Sequence, residues 1–192
     1  MRIIAGAAKG MSLIVPRSGV RPTADRIREA IFSSLGERVT GATVLDLFAG
    51  TGALGLEAAS RGAASVVFVE QSRAALTSLQ KNAEIFRKNR DVWCELTIMR
   101  TDVFAQLRRL AGARESFSLI FADPPYGEAA QLLLDDENLP GLLADGGLFV
   151  LESANRNELR VPALWKLIRE SIYGDTRVSF LARSEATGES GD

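Results

Sequence analysis

Three features of this sequence predict an α/β fold: a mostly parallel sheet with helices on both faces, closed by one antiparallel hairpin. Apolar runs of strand length alternate with segments of helical periodicity from Val44 to Leu151, the pattern of repeated β-α units. One such stretch, residues 44–55 (VLDLFAGTGALG), passes from Val44, Leu45, Leu47 and Phe48 into Gly50, Gly52 and Gly55, which reads as strand, tight turn and helix. The last two runs, 164–173 and 176–182, are separated only by Gly174-Asp175, a loop suited to an antiparallel hairpin. In such sheets ligands collect at the carboxyl ends of the strands.

Taken in order, residues 2–5 and 13–15 are short β-prone runs flanking 6–10, which predicts a small hairpin, and Pro16, Gly19 and Pro22 then keep the chain irregular. Thr23 is placed to cap a helix over 24–35, with Asp25 in its first turn, Gly36 past its end and Ile27, Ala30, Ile31 and Leu35 as its apolar stripe. Residues 1–38 form an N-terminal extension (hairpin plus helix), 39–183 the main domain, and 184–192 a short polar tail expected to fray. After the glycine turn a helix runs to Arg61 and stops at Gly62; residues 65–69 form a buried strand ending at Glu70. Ser72 caps a helix carrying Leu76, Leu79, Ala83 and Phe86. A third strand over 93–99 leads to Asp102 and a helix reaching Leu110. A fourth, over 118–122, ends in Asp123-Pro124-Pro125-Tyr126. Leucine-rich helical segments cover 129–143, and Gly146-Gly147 opens a strand over 148–151.

Composition narrows the chemistry. No apolar run approaches the ~20 residues of a membrane span, the N-terminus lacks the apolar core of a secretion signal, and the single cysteine, Cys94, allows no internal disulfide and reads as a packing residue. These features predict a cytoplasmic protein. The chain has no histidine, which excludes His-based triads, His-liganded metals and an imidazole proton shuttle; no metal site is expected. Net charge is −1, yet Met1 to Arg38 carries seven basic and three acidic residues, whereas Glu128 to Asp192 carries six basic and twelve acidic ones. A basic end on a balanced protein suggests contact with a polyanion, although a solvated helix face would show the same pattern.

Four acids, Asp46, Glu70, Asp102 and Asp123, follow four separate apolar runs, so the fold should gather them on one rim of the sheet. Asp102 reads equally well as a helix cap. Glu70 lies near the ~20-residue offset at which an acid on the second strand accepts ribose hydroxyls. Gly50–Gly55 literally matches G-x-G-x-x-G, which admits a dinucleotide. Asp46 argues against one: an acid beside the turn repels a pyrophosphate and attracts an ammonium or sulfonium. S-adenosylmethionine, with ribose and adenine but no phosphate, fits better. In Asp123-Pro124-Pro125-Tyr126 the prolines remove backbone donors and fix the turn. A carboxylate and a proline carbonyl can then accept both hydrogens of a planar NH₂ group, while Tyr126 offers a ring for stacking. An ordinary proline turn anchored by Tyr126 is the competing reading.

VLDLFAGTGALGLE, FVE and ADPPY resemble, in order and spacing, the motifs of class I S-adenosylmethionine-dependent methyltransferases. MRIIAGAAKGMSLIVP, RPTADRIREAIFSSL and YGDTRVSFL extend the likeness to the bacterial 16S ribosomal RNA (guanine-N2)-methyltransferase family, from Met1 to about Leu181. Met11 departs from that pattern, which carries a basic residue after Lys9-Gly10. The resemblance implies a Rossmann-like seven-stranded sheet with an antiparallel C-terminal hairpin. It implies S-adenosylmethionine held by Asp46, Phe48, Gly50, Gly52, Glu70, Gln71, Asp102 and Val103. It implies methylation of one guanine N2 in a loop of 16S rRNA, within a small-subunit assembly particle, by a monomer. Asp123, Pro124 and Tyr126 become the catalytic residues, the departing proton going to Asp123 or to water. Lys9, Arg21, Arg26 and Arg28 would bind phosphates without reading sequence. Three rivals remain at this level: a DNA adenine-N6 or cytosine-N4 methyltransferase, an NAD-dependent oxidoreductase, and a non-catalytic RNA-binding assembly factor.

Overall fold

A computed structural model describes residues 1–16, 25–89, 91–125 and 127–184 of the chain; Thr23, Arg21, Tyr126 and the tail beyond Ser184 lie outside the described residues. Helix α1 spans Asp25–Leu35 and continues into a 3₁₀ turn, Gly36–Val39. The alternating series follows as β1 (Thr43–Leu47), α2 (Ala53–Ser60), β2 (Ser65–Glu70), α3 (Arg73–Arg87), β3 (Glu95–Arg100), α4 (Val103–Gly112) and β4 (Phe117–Ala122). Then come α5 (Ala129–Asp135), a second 3₁₀ turn (Pro140–Leu142), β5 (Leu143–Ala154), β6 (Trp165–Tyr173) and β7 (Thr176–Arg183).

The seven strands lie in the order β3-β2-β1-β4-β5-β7-β6. Strands β1 to β5 pair in parallel, and β7 runs antiparallel to both β5 and β6. The central β1 is covered on both faces, which is why its run reads as continuously apolar apart from Asp46. Alternation along the strands sends Val44, Phe68, Phe121 and Val150 into one core with α1, α2 and the N-terminal segment. Leu45, Val69, Ile120 and Leu151 enter a second core beneath α4 and α5. Among the described residues no helix is long and apolar enough to cross a membrane.

Residues 1–16 contain a short hairpin of their own, which side-chain hydrogen bonds tie to α2. Leu13 N donates to the Met1 carbonyl at 3.0 Å, Ile3 N to the Met11 carbonyl at 2.9 Å and Gly10 N to the Ile3 carbonyl at 2.9 Å, around an antiparallel bridge of Arg2 with Ser12. Ile4 N and Ala5 N donate to the two carboxylate oxygens of Glu57 at 2.7 and 3.0 Å, and Ala8 N donates to Ser60 Oγ at 2.9 Å. Gly6 is where the approach is closest. Its φ is +81°, and an added Cβ would stand 1.8 Å from the Ser60 carbonyl oxygen, so no other residue fits without moving the loop. Ile3, Ala8 and Leu13 are buried in the first core.

Three element boundaries differ from the sequence reading. The third strand begins at Glu95, not 93, because its partner β2 begins opposite it at Ser65; Trp93 is left 90% exposed. The helical stretch over 129–143 breaks after Asp135, where the Asp136 carboxylate accepts from Asn138 N and Leu139 N at 2.9 and 3.1 Å and Pro140 follows. Strand β5 starts at Leu143 rather than 148, with the register to β4 shifting so that Phe117 pairs with Leu143 but Leu119 with Leu148. Cys94 packs at the edge of the first core; burial, and then Glu95, push its thiol up to about 11.

Candidate functional site

Strand periodicity builds the site. Asp46, Glu70, Asp123 and Glu152 each lie two residues beyond a residue of the first core, namely Val44, Phe68, Phe121 and Val150. Side chains two apart share a face, so four carboxylates reach the carboxyl rim of neighbouring strands on one side of the sheet. All four line a single cavity of about 460 Å³, a size that suits a cofactor or small ligand. One wall is the glycine loop with the end of β2, including Phe48, Gly50 and Gln71; the other is Asp123-Pro124-Pro125 with the end of β5 and the start of β7. No described lysine or arginine lines it. Among the described residues, no three His, Cys, Asp or Glu side chains cluster closely enough to hold a metal ion.

Asp46 sits at the junction of the two walls and is 2% exposed. Its Oδ2 accepts from Gly55 N at 2.9 Å, an amide in the first turn of α2. Burial holds its carboxyl well above the usual range, with Asp123 and Glu70 pushing the same way and the Gly55 bond opposing them. The folded protein therefore binds this proton more tightly than the unfolded chain, and folding loses that contribution as pH rises from the unfolded value through the folded one. Asp46→Asn keeps an acceptor for Gly55 and abolishes the titration. It is expected to raise Tm at pH 7 by more than at pH 4, measured by thermal melting of the free protein; an equal shift at both pH values would contradict this.

Glu70 holds the glycine loop. Its Oε2 accepts from Gly50 N at 2.8 Å, and its Oε1 from Gln71 N and Ser72 N at 2.8 and 2.7 Å. These contacts take three of the roughly four acceptor positions of a carboxylate. Thr51 is tied from behind, its carbonyl accepting from the buried Asn82 amide at 3.0 Å, while Asn82 also exchanges two hydrogen bonds with Ile14. The loop enters through Phe48, at φ +54°, a strained value for a non-glycine residue. Its ring lines the cavity and meets Phe104 edge-on at 6.4 Å.

Several sequence expectations change here. Gly52 does not line the cavity; its missing Cβ would meet Leu79 Cδ1 at 2.5 Å. Gly55 likewise faces inward, where a Cβ would stand 2.3 Å from the Phe68 ring. These two glycines serve the packing of α2 and α3 onto the sheet, and Gly50 alone of the three faces the cavity. Asp102 and Val103 are also off it: Asp102 caps α4 by accepting from Ala105 N at 2.9 Å, and Val103 is buried in the second core. Arg28 is fully buried, donating to the Arg2 carbonyl and to Asp25, each at 2.7 Å. It pins α1 to the N-terminal segment and presents no surface to a phosphate. Lys9 and Arg26 are exposed. Lys9 follows Ala8, which is bonded to Ser60, and so lies about 10 Å along α2 from the cavity-lining Ala53. Glu152 and Asn82 went unread in the sequence. Glu152 carried a usable signal, an acid closing the apolar run LFVL as Asp123 closes SLIFA. Asn82 carried none, being one polar residue in an otherwise ordinary helix.

The family model described as conserved hypothetical protein 95 matches residues 1–182. The chain is 38% identical over 196 residues to ribosomal RNA small subunit methyltransferase D of Escherichia coli K12, covering 99% of this chain and 93% of that protein. A solved structure from Escherichia coli matches at TM-score 0.75 and 37% identity, covering 95% of this chain and 97% of that one. A hypothetical protein from Thermus thermophilus matches at TM-score 0.79 and 31% identity, covering 96% and 99%. The seven-stranded Rossmann-like fold of class I methyltransferases is thus the fold of this chain.

Proposed function

The chain belongs to the family described as conserved hypothetical protein 95, and from that premise we propose that it transfers a methyl group from S-adenosylmethionine to the exocyclic N2 amine of one guanine in small-subunit (16S) ribosomal RNA. The observation that carries the reading is the cavity itself, which joins a glycine loop to Asp123-Pro124 through four carboxylates with no described base among its lining. Such a lining disfavours a pyrophosphate and suits a ligand carrying a sulfonium and an ammonium. Asp46, the Phe48–Thr51 loop, Glu70 and Gln71 are the residues that would hold it. The bound cofactor supplies an electrophilic methyl group. The relative named as a small-subunit ribosomal RNA methyltransferase aligns over nearly the whole chain, which supports RNA as the acceptor.

The remaining work falls to the chain's own groups. The lone pair of guanine N2 is delocalised into the ring, so the amine is a weak nucleophile until its hydrogens are held. Asp123 and the Pro124 carbonyl accept them, freeing the lone pair to face the other wall. Positioning of this kind supplies a large part of a transfer rate, and the Asp123 carboxylate stabilises positive charge developing on nitrogen. Tyr126 completes the motif as a stacking ring for a base unstacked from its RNA loop. Lys9, Arg21 and Arg26, within residues 1–38, supply phosphate contacts that position the RNA.

Two measurements separate this reading from its rivals. S-adenosylhomocysteine is expected to raise Tm and NADH to leave it unchanged. Labelled methyl groups are expected to enter small-subunit particles or their rRNA and not duplex DNA. Incorporation into DNA alone would replace this reading with a DNA methyltransferase, and a Tm shift with NADH alone would replace it with an oxidoreductase.

A further inference from the structure

We propose that Glu152 reads the acceptor base as guanine by accepting its N1–H. The assignment rests on the methyltransferase reading above and adds to it the residue that chooses the base. Strands β4 and β5 pair in parallel with Ala122 opposite Leu151. Asp123 and Glu152 are each one residue further on, on strands about 4.8 Å apart and on the same face of the sheet. Both line the cavity, on the wall opposite the glycine loop. Glu152 is 3% exposed, set between β4 and the β7 strand, where Val178 is its partner. It and Asp123 are the described carboxylates on that wall.

The chemistry of the base matches this pair of acceptors. Guanine presents the N1–H donor directly beside the N2 amine, whereas adenine presents a bare N1 acceptor at the equivalent place. Asp123-Pro124 engages N2 whatever lies next to it, so that motif alone does not select guanine. An ionised carboxylate only accepts, and a second one on the adjacent strand meets N1–H but opposes a bare N1. A buried acceptor left facing another acceptor is the kind of mismatch that discriminates strongly between substrates.

The test uses two RNAs that differ at the position methylated by the wild-type protein, one with guanine and one with 2-aminopurine. The latter keeps the 2-amino group and lacks N1–H. Wild type is expected to favour guanine in kcat/KM by about 10-fold or more. In Glu152→Gln the side-chain amide can turn an N–H toward the bare N1, so the ratio is expected to fall close to one. In Glu152→Asp the acceptor-only character remains, so the preference is expected to persist at a lower rate. S-adenosylhomocysteine binding, which belongs to the other wall, is expected to be unchanged in both variants and reports on folding. A wild type indifferent to the two bases, or a Gln variant with undiminished preference, overturns the assignment to Glu152 alone. Failure of the wild type to methylate the guanine RNA overturns the methyltransferase reading and the assignment with it. Should the Gln variant not fold, loss of preference in the Asp variant overturns the assignment and its retention supports it.

Discussion

Asp123→Ala is expected to lower kcat for methyl transfer by at least ~100-fold, the scale of removing one preorganised electrostatic partner from a reacting group. The side chain extends from the end of β4, one residue past the Ala122–Leu47 pair, and lines the cavity beside Pro124. Without it the amine keeps one acceptor, the Pro124 carbonyl, and its lone pair is no longer directed. Cofactor binding should survive, because the glycine loop is held by Glu70 and Asn82 from the other side. The Tm shift with S-adenosylhomocysteine is therefore expected to persist while turnover collapses. Asp123→Asn, which keeps an acceptor but loses the charge, should fall between. Equal turnover by Asp123→Ala and wild type would remove Asp123 from the chemistry.

The largest effect on stability is expected from Glu57→Ala. Glu57 is fully buried on α2; it accepts from two backbone amides of the N-terminal segment and from Arg61 Nε at 2.7 Å. Arg61 is partly exposed, its side chain at 22%, and its guanidinium also lies over the Phe32 ring at 4.9 Å. Removing one member of a buried charged network costs about 3–5 kcal/mol, and at about 2–4 °C per kcal/mol for a chain of this size the fall in Tm is roughly 6–20 °C. Because Met1 lines the cavity, the loss should reach the site. Limited proteolysis is expected to cut within residues 1–16 of the variant well before the wild type does. A Tm within 2 °C of wild type, allowing for about 1 kcal/mol, would mean the segment is held by its apolar contacts alone.

The centre of the sheet was legible because β1, β2 and β4 are buried along most of their length. Runs such as SVVFV and SLIFA have no alternative placement once helices of matching length separate them, and the strand ends then fix where acids converge. Less was legible where tertiary partners decide. Trp93 looks like strand until β2 is seen to begin at Ser65. The three glycines of the turn look equivalent, yet Gly52 and Gly55 answer to Leu79 and Phe68, residues far along the chain that no local pattern connects to them. Arg28 shows the same limit from the other side. A cationic residue on a short helix reads as surface; among the described residues the Arg2 carbonyl and Asp25 are the partners that offset its burial. Asp102 had two readings of equal weight, and the amide of Ala105 shows that it does cap α4.

The central claim, that one guanine N2 of small-subunit rRNA receives the methyl group, is tested most directly by nucleoside mass spectrometry. Small-subunit particles from a strain lacking this protein would be incubated with the purified protein and S-adenosylmethionine bearing a deuterated methyl group. The expected product is deuterated N2-methylguanosine at a single position of the 16S rRNA, absent when Asp123→Ala replaces the wild type. Deuterium in a different nucleoside, or none in rRNA while the protein still binds S-adenosylhomocysteine, would contradict it.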